Sequence, residues 1–310
     1  MLSSIFFLFI GSIGLFYGSE WLVDGAKNIA KKLKISDLVI GLTIVSIGTS
    51  FPELIAGIQS VLEDKHDFVI GNVLGSNVAN IGLALGLPAL FYKMNFEYKN
   101  VISAFFYNIL ACGILFYIIS DNQITSSDSQ ILLFLFTIYI IASFLRPNIT
   151  SCKNELENDG EICLTNSFAR LLSGSIILYV GSELFIKNGA LSLLAYIGED
   201  YEKAIGMTVI AIGTSLPEVF VTMTALSKKE VGISLGNIIG SNIFNILFVL
   251  GVIGLINPLE VSNVSFELLF GVGLLLLLAF LSFFYKGLNK VSGFLLLSIY
   301  ILFLYLQFYG

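Results

Sequence analysis

Ten runs of roughly twenty residues, each nearly free of charge, dominate the chain: 3 to 22, 38 to 62, 68 to 91, 101 to 119, 130 to 145, 167 to 186, 205 to 226, 231 to 256, 266 to 285 and 292 to 309. A helix of that length matches the hydrocarbon thickness of a bilayer. Lipid offers backbone N–H and C=O groups no partners, so such runs must satisfy them internally as helices. Composition agrees, with 56% hydrophobic and only 12% charged residues among 310, against about 25% charged in soluble proteins. Soluble enzyme folds are thereby excluded. A net charge of −6 leaves no basic stripe to neutralise phosphates, which excludes a nucleic-acid partner. Cys112, Cys152 and Cys163 are odd in number and irregularly spaced, so neither a disulfide framework nor a zinc knuckle is indicated. No Lys or Arg precedes the first run and no cleavage site follows it, which reads as a retained helix, not a signal peptide.

The basic residues orient the spans. Connections after the first, third, fifth, seventh and ninth runs hold Lys27, Lys31, Lys32, Lys34, Lys93, Lys99, Arg146, Lys153, Lys228, Lys229, Lys286 and Lys290, twelve of the sixteen Lys and Arg. The opposite side carries Lys65, Lys187 and Lys203, with Arg170 just inside the sixth run. The positive-inside rule then places both termini outside the cytoplasm of a multi-pass cell-membrane protein. The one long polar stretch, PNITSCKNELENDGEICLTN at 147–166, is acidic and aperiodic and reads as a cytoplasmic linker. The expected organisation is a first five-helix repeat at 1–146, the linker at 147–166, and a second repeat at 167–310.

The repeat itself is written in the residues. Residues 41–86 align without a gap on 206–251, at a constant offset of 165, with 17 identities in 46 columns. GLTIVSIGTSFPELIAGIQS and GNVLGSNVANIGLALG are answered by GMTVIAIGTSLPEVFVTMTA and GNIIGSNIFNILFVLG. Gly18-Ser19-Glu20 likewise answers Gly181-Ser182-Glu183, and Gly25-Ala26 answers Gly189-Ala190. Self-similarity at a fixed period marks a duplicated architecture. Five spans is an odd number, so two consecutive copies enter the membrane from opposite sides. The expected fold is all-α and integral to the membrane: ten transmembrane helices as two inverted five-helix repeats, a construction known in secondary transporters.

Polar residues sit where the apolar runs should be driest. Glu53 and Glu218 lie mid-span within GTSFPE and GTSLPE. A charge at that depth costs about 3 kcal/mol or more, which makes an intramembrane Glu a functional candidate. Pro52 and Pro217 each remove a donor and crowd the preceding turn, so both helices should open near the motif. The freed carbonyls would face a cavity beside the hydroxyls of Thr49, Ser50, Thr214 and Ser215. In the following spans Ser76 and Asn80, and Ser241 and Asn245, stand four residues apart and share one helix face.

Every donor in this set is an oxygen. Oxygen-only coordination with two negative charges suits a hard cation, and Ca²⁺ takes 6 to 8 oxygens in flexible geometry. The two carboxylates could equally balance two Na⁺ ions. Zinc and copper prefer His and Cys, and the sole His66 stands in a polar connection, EDKHD, as an ordinary exposed histidine. A −2 site is costly to move empty through a low dielectric, so competition between cations of different valence gives coupled exchange. Glu20, Asp24 and Glu183 fall near expected helix ends, where interface solvation is their role, with steering of ions toward the pore as the alternative. An enzyme is not expected, because no nucleophile with an oriented base accompanies the acids.

The doubled GTSxPE and GNxxGSNxxN segments resemble the α-repeats of the cation/calcium exchanger superfamily, in its prokaryotic sodium/calcium exchanger branch. The resemblance runs from Gly18 to about Pro258. It implies antiport of Na⁺ for Ca²⁺ by alternating access, with the transported ions as the only ligands, no cofactor, and no obligate protein partner beyond the lipid bilayer. It places the ion site on Thr49, Ser50, Glu53, Ser76 and Asn80 with Thr214, Ser215, Glu218, Ser241 and Asn245. Ser46 and Ala211 would add backbone carbonyls, and the first and sixth helices would slide across the core to switch access. Similar microbial exchangers often carry Asp where this chain has Asn245, as do potassium-dependent relatives. Amides at both 80 and 245 imply no potassium requirement and a weaker effect of protons. Protons could discharge the same carboxylates, so a Ca²⁺/H⁺ antiporter stands as the alternative, and an uncoupled cation channel as the reading from another class.

Overall fold

The computed structural model describes residues 2–145, 163–192, 213–261 and 264–309. Its secondary structure is helical apart from two short strand pairings. The long helices are α1 (Leu2–Leu33), α4 (His66–Phe91), α5 (Tyr98–Asp121), α6 (Ser126–Phe144), α7 (Leu164–Leu191), α9 (Val231–Ile256), α10 (Ser265–Tyr285) and α11 (Lys290–Tyr309). Between α1 and α4 lie α2 (Asp37–Thr49) and α3 (Phe51–Leu62), bent by 42° against each other. The short α8 (Leu216–Ser227) precedes α9. Among the described residues eight helices are long and apolar enough to cross a membrane, and nine if α2 and α3 form one broken span. The expected run 205–226 is represented by α8, its first residues lying outside the described ones.

One boundary differs from expectation. The first run, read as 3 to 22, continues as helix to Leu33. Val23, Ala26, Ile29 and Ala30 are buried while Lys31 and Lys32 fall in the last turn, so the amphipathic end packs its apolar face and places its cations at the favourable dipole end. Lys27, Lys31 and Lys32 are therefore helical, not part of a connection. Glu20 and Asp24 consequently lie well inside α1, not at its end.

The spans sort into a core and a rim. The apolar windows of α4 and α9 are 78% and 83% buried, against 22–39% for the other long helices. The rim helices expose Phe106, Phe134, Ile176, Phe280 and Leu302, the outward apolar surface expected of helices solvated by lipid. α1 and α7 run antiparallel along one side. Gly11 and Gly14 stand against Gly181, and Gly18 against Gly174 and Leu178, so close that an added Cβ would lie 2.7–3.0 Å from backbone atoms. Small residues permit this approach of two backbones.

The two strand pairings join the halves. Met94–Asn95 (β1) pairs with Gly287–Leu288 (β4), and Gln123–Ile124 (β2) pairs with Leu259–Glu260 (β3). β1 and β3 are 165 residues apart, and each clips onto the turn between the last two helices of the opposite half.

Candidate functional site

The site is built where helices break. Ser50 leaves helical geometry at φ −91°, ψ 13°, and Ser215 does the same at φ −86°, ψ 0°. In each case Pro follows at the start of the next helix and Glu falls in its first turn. Pro is tolerated there because its missing N–H would be unsatisfied anyway. The opening expected at Pro52 and Pro217 is thus a restart, which aims the positive end of a helix at the carboxylate in its first turn.

The core helices carry a second irregularity. Wide π turns occupy Gly41–Val45, Asn80–Leu85 and Asn245–Val249. Two of them start at equivalent asparagines, and such turns recur at functional sites because they free carbonyls and re-aim side chains. In the first, the Leu42 carbonyl accepts from Ser46 Oγ at 3.0 Å and from Tyr139 Oη at 2.9 Å. α9 lies directly on this turn, since a Cβ on Gly240 would sit 2.5 Å from the same carbonyl oxygen. The glycines of GNIIGSN therefore mark backbone contact between α9 and α2.

Of the twelve residues singled out from the sequence, eleven are described, and all are buried: Ser46, Thr49, Ser50, Glu53, Ser76, Asn80, Thr214, Ser215, Glu218, Ser241 and Asn245. Ala211 lies outside the described residues. Hydrogen bonds tie the two halves together across the repeat. Ser50 Oγ donates to Glu218 Oε1 at 3.1 Å, and Ser241 Oγ reaches the same oxygen at 3.4 Å. The Thr49 and Ser241 hydroxyls are 3.3 Å apart, and their equivalents Thr214 and Ser76 are also 3.3 Å apart. Ser46 turns its hydroxyl to Leu42 and Thr43 in its own helix, while its carbonyl accepts from Ser50 N at 3.1 Å.

Several buried polar atoms at this centre lack a partner among the described residues. They are both carboxylate oxygens of Glu53, Oε2 of Glu218, Oδ1 of Asn80 and of Asn245, and Oγ of Ser215. Native interiors pair nearly all such groups, and each exception demands an explanation. These six are oxygens drawn from both halves, the donor set of a hard cation, and Asn72 Oδ1 and Asn237 Nδ2 close by are likewise unpartnered among the described residues.

Residues passed over in the sequence also belong here. Asn237 Oδ1 accepts from Thr49 Oγ1 at 2.9 Å, and the Asn72 amide reaches the Glu53 carbonyl at 3.5 Å. Asn77 and Asn242 bond to each other and to Asn245 and Asn80. Their signal was the identity of GSN in both copies. Glu20 and Asp24 are not merely solvated, because Lys228 Nζ lies 3.7 and 2.6 Å from them. Glu183 pairs with Lys187 at 2.7 Å. His66 is half-buried, and its Nδ1 accepts from the Glu260 backbone at 3.0 Å. Cys112 is buried and Cys163 exposed, both free, and Cys152 lies outside the described residues.

The family described as "Sodium/calcium exchanger protein" matches residues 3–145 and 166–309. The chain belongs to the sodium/calcium exchanger family. The sodium/calcium exchanger MaX1 of Methanosarcina acetivorans is 31% identical over 344 residues, covering 97% of each chain. An uncharacterized membrane protein of Methanocaldococcus jannaschii is 33% identical over 299 residues, covering 96% of this chain and 95% of its own. Among solved structures, the sodium-calcium exchanger NCX_Mj soaked with 2.5 mM Na⁺ and 0.1 mM Ca²⁺ superposes with a TM-score of 0.80 at 34% identity, over 96% of each chain. This exchanger-family member is accordingly a membrane transporter and not an enzyme.

Proposed function

We propose that the protein is a secondary antiporter that exchanges Ca²⁺ for Na⁺ by alternating access. Both ions compete for one midplane site made by Glu53 and Glu218 with oxygens of Thr49, Ser50, Ser76, Asn80, Thr214, Ser215, Ser241 and Asn245. The observation that carries this reading is the set of buried, unpartnered oxygens contributed by both halves. Two carboxylates in a dry core repel each other and are poorly solvated, whereas one Ca²⁺ or a complement of Na⁺ neutralises them. Switching access is then unfavourable with the site empty and permitted with it filled, which couples the two fluxes. Ser46 would add its backbone carbonyl, as the family resemblance implies for Ala211 too.

The switch we assign to the α1–α7 pair. It meets the site's surroundings through a few hydroxyls and glycines and through an apolar seam, where Leu22, Val23, Ala26 and Ile29 of α1 pack with Ile40, Val45, Val221 and Ala225. Ser19 Oγ is 2.8 Å from Thr224 Oγ1, Ser182 Oγ donates to the Gly213 carbonyl at 3.1 Å, and Gly48 faces Ser175. Apolar contact of this kind is non-directional, so the pair can shift along the seam with only a few side-chain hydrogen bonds to exchange. The architecture we infer is ten helices in two inverted repeats, 1–146 and 167–310, joined by a cytoplasmic linker at 147–166, with both termini outside. Supporting it are the strand clips offset by 165 residues and the paired contacts of Thr49 with Ser241 and Ser76 with Thr214. No obligate protein partner is required by this scheme.

The test is ⁴⁵Ca²⁺ uptake into proteoliposomes loaded with Na⁺ and diluted into Na⁺-free buffer with a protonophore present. Uptake that collapses when the Na⁺ gradient is removed is the expected result. Uptake that needs a pH gradient and ignores Na⁺ would replace sodium with protons as the coupling ion. Flux without any counter-ion would replace the antiporter with a channel. Potassium should not stimulate uptake at fixed voltage, because Asn80 and Asn245 leave the site at −2.

A further inference from the structure

We propose that Asn77 and Asn242, which are not among the ion donors, are positioning residues that decide which end of the Asn80 and Asn245 amides faces the transported cation. The inference rests on reading the centre as the ion site. A side-chain amide has two nearly isosteric ends, an oxygen that attracts a cation and an NH₂ that repels one. A helix backbone alone does not choose between them. At this centre the choice is made by a chain of hydrogen bonds that starts from backbone atoms, whose polarity is fixed.

Asn242 Nδ2 donates to the Asn77 carbonyl at 3.1 Å, and Asn77 Nδ2 donates to the Asn242 carbonyl at 3.2 Å. A carbonyl can only accept, so both NH₂ groups are committed and both Oδ1 atoms must point the other way. Those oxygens accept in turn. Asn242 Oδ1 takes the Nδ2 of Asn80 at 3.0 Å, and Asn77 Oδ1 takes the Nδ2 of Asn245 at 3.1 Å. The remaining end of each outer amide is therefore its oxygen, and Asn80 Oδ1 and Asn245 Oδ1 are the ends left buried without a partner. Flipping either outer amide would set two oxygens against each other at hydrogen-bonding distance.

The relay also crosses the repeat. Asn77 of the first half orients Asn245 of the second, and Asn242 orients Asn80. Each half thus sets the polarity of the other half's amide, and the four asparagines, 0–7% exposed, form a reciprocal relay where α4 meets α9, with Asn80 and Asn245 at its open ends. Asn suits both duties at 77 and 242, because its amide donates to a backbone from one end and accepts from a side chain at the other.

A double-mutant cycle separates positioning from scaffolding. The Ca²⁺ concentration for half-maximal Na⁺-driven uptake is measured for wild type, Asn242→Leu, Asn80→Ala and the double variant. The mirrored cycle uses Asn77→Leu and Asn245→Ala. Asn242→Ser and Asn77→Ser run in parallel, since the smaller residue avoids new steric conflict, and melting without Ca²⁺ reports folding. We expect Asn242→Leu to raise the half-maximal concentration about tenfold, and to raise it no further once Asn80 is already Ala. Equal effects in both backgrounds, or no effect in wild type, would overturn the proposal. So would loss of folded protein in the Leu and Ser variants alike, which assigns the relay to scaffolding alone. A wild type that shows no Na⁺-driven uptake would instead sink the transport reading on which the relay depends.

Discussion

Two turns at opposite ends of the repeat, Glu63-Asp64-Lys65 and Lys228-Lys229-Glu230, have the same backbone and inverted charge. Asp64 and Lys229 both take positive φ, 55° and 63°, and the flanking hydrogen bonds Lys65 N to Ser60 O and Glu230 N to Ala225 O are equivalent. Around the second turn the charges reach across to α1. Lys228 holds Asp24 at 2.6 Å and Glu230 holds Lys27 at 2.6 Å. Around the first, Lys65 pairs with Glu63 at 2.6 Å and Asp64 Oδ1 accepts from Asn257 Nδ2 at 3.5 Å, while at the matching end of α7 Lys187 pairs with Glu183 at 2.7 Å. The midplane behaves differently, since there both copies keep the same Thr, Ser, Glu and Asn. The two copies hold their backbone and their candidate donors in common while their turns diverge in charge. Among the described residues that divergence gives the second turn a charged grip on α1.

The midplane half of this comparison is the easiest to break. Glu53→Gln and Glu218→Gln should each reduce Na⁺-driven ⁴⁵Ca²⁺ uptake by about a hundredfold or more, because either change removes half the charge that balances Ca²⁺ in a dry site. Normal uptake by both variants would remove the site assignment. The carboxylates are not identical, since Ser50 and Ser241 reach Glu218 while neither oxygen of Glu53 has a partner among the described residues. Both are nonetheless expected to be essential.

Sidedness is the next largest contrast. Cys163 is exposed just before α7, and hydrogen bonds from the Asn166 and Thr165 backbone and the Thr165 side chain lower its thiol below the usual range. It should therefore react readily with a membrane-impermeant maleimide. In a Cys152→Ser background, inside-out vesicles should label about tenfold faster than right-side-out ones, because the linker is placed in the cytoplasm. The reverse ratio would invert the orientation and exchange the two charged turns between faces.

The repeat makes a third prediction. Gly240→Leu forces a side chain into the Leu42 carbonyl and Ser46 hydroxyl, and overpacking of this kind costs about 1–3 kcal/mol. Gly75 is its equivalent 165 residues earlier, and the segment that would pack on it, near 203–211, lies outside the described residues. Gly75→Leu should lower the melting temperature as much as Gly240→Leu does. A harmless Gly75→Leu would mean that the two halves do not pack alike. Smallest is Lys228→Ala. Lys228 is about a quarter exposed and its partners Glu20 and Asp24 nearly two-fifths, and pairs of that kind contribute about 0.2–1 kcal/mol. The variant should change the exchange rate severalfold at most, and more at low salt than at high salt.

Most of the fold was legible because lipid allows so few alternatives. Apolar runs became helices, and Pro52 and Pro217 marked the breaks. What stayed hidden depended on where helices meet. The extension of α1 to Leu33 was masked by lysines that a buried apolar face carries along. The pairing of Glu20 and Asp24 with Lys228 joins residues some 200 positions apart. The candidate donors could be read as a set because GTSxPE and GSNxxN recur. The asparagines behind them could not, since Asn77 and Asn242 look like donors until the carbonyls they bond are seen. The π turns at Asn80 and Asn245 have no composition of their own.

The central claim is that both halves build one site. Equilibrium ⁴⁵Ca²⁺ binding to detergent-purified wild type, Glu53→Gln and Glu218→Gln tests it without transport. The account predicts one Ca²⁺ per chain in wild type, displaced by Na⁺, and no measurable binding in either variant although both remain folded. Wild-type affinity retained by either one would place the two carboxylates in separate sites and contradict the account.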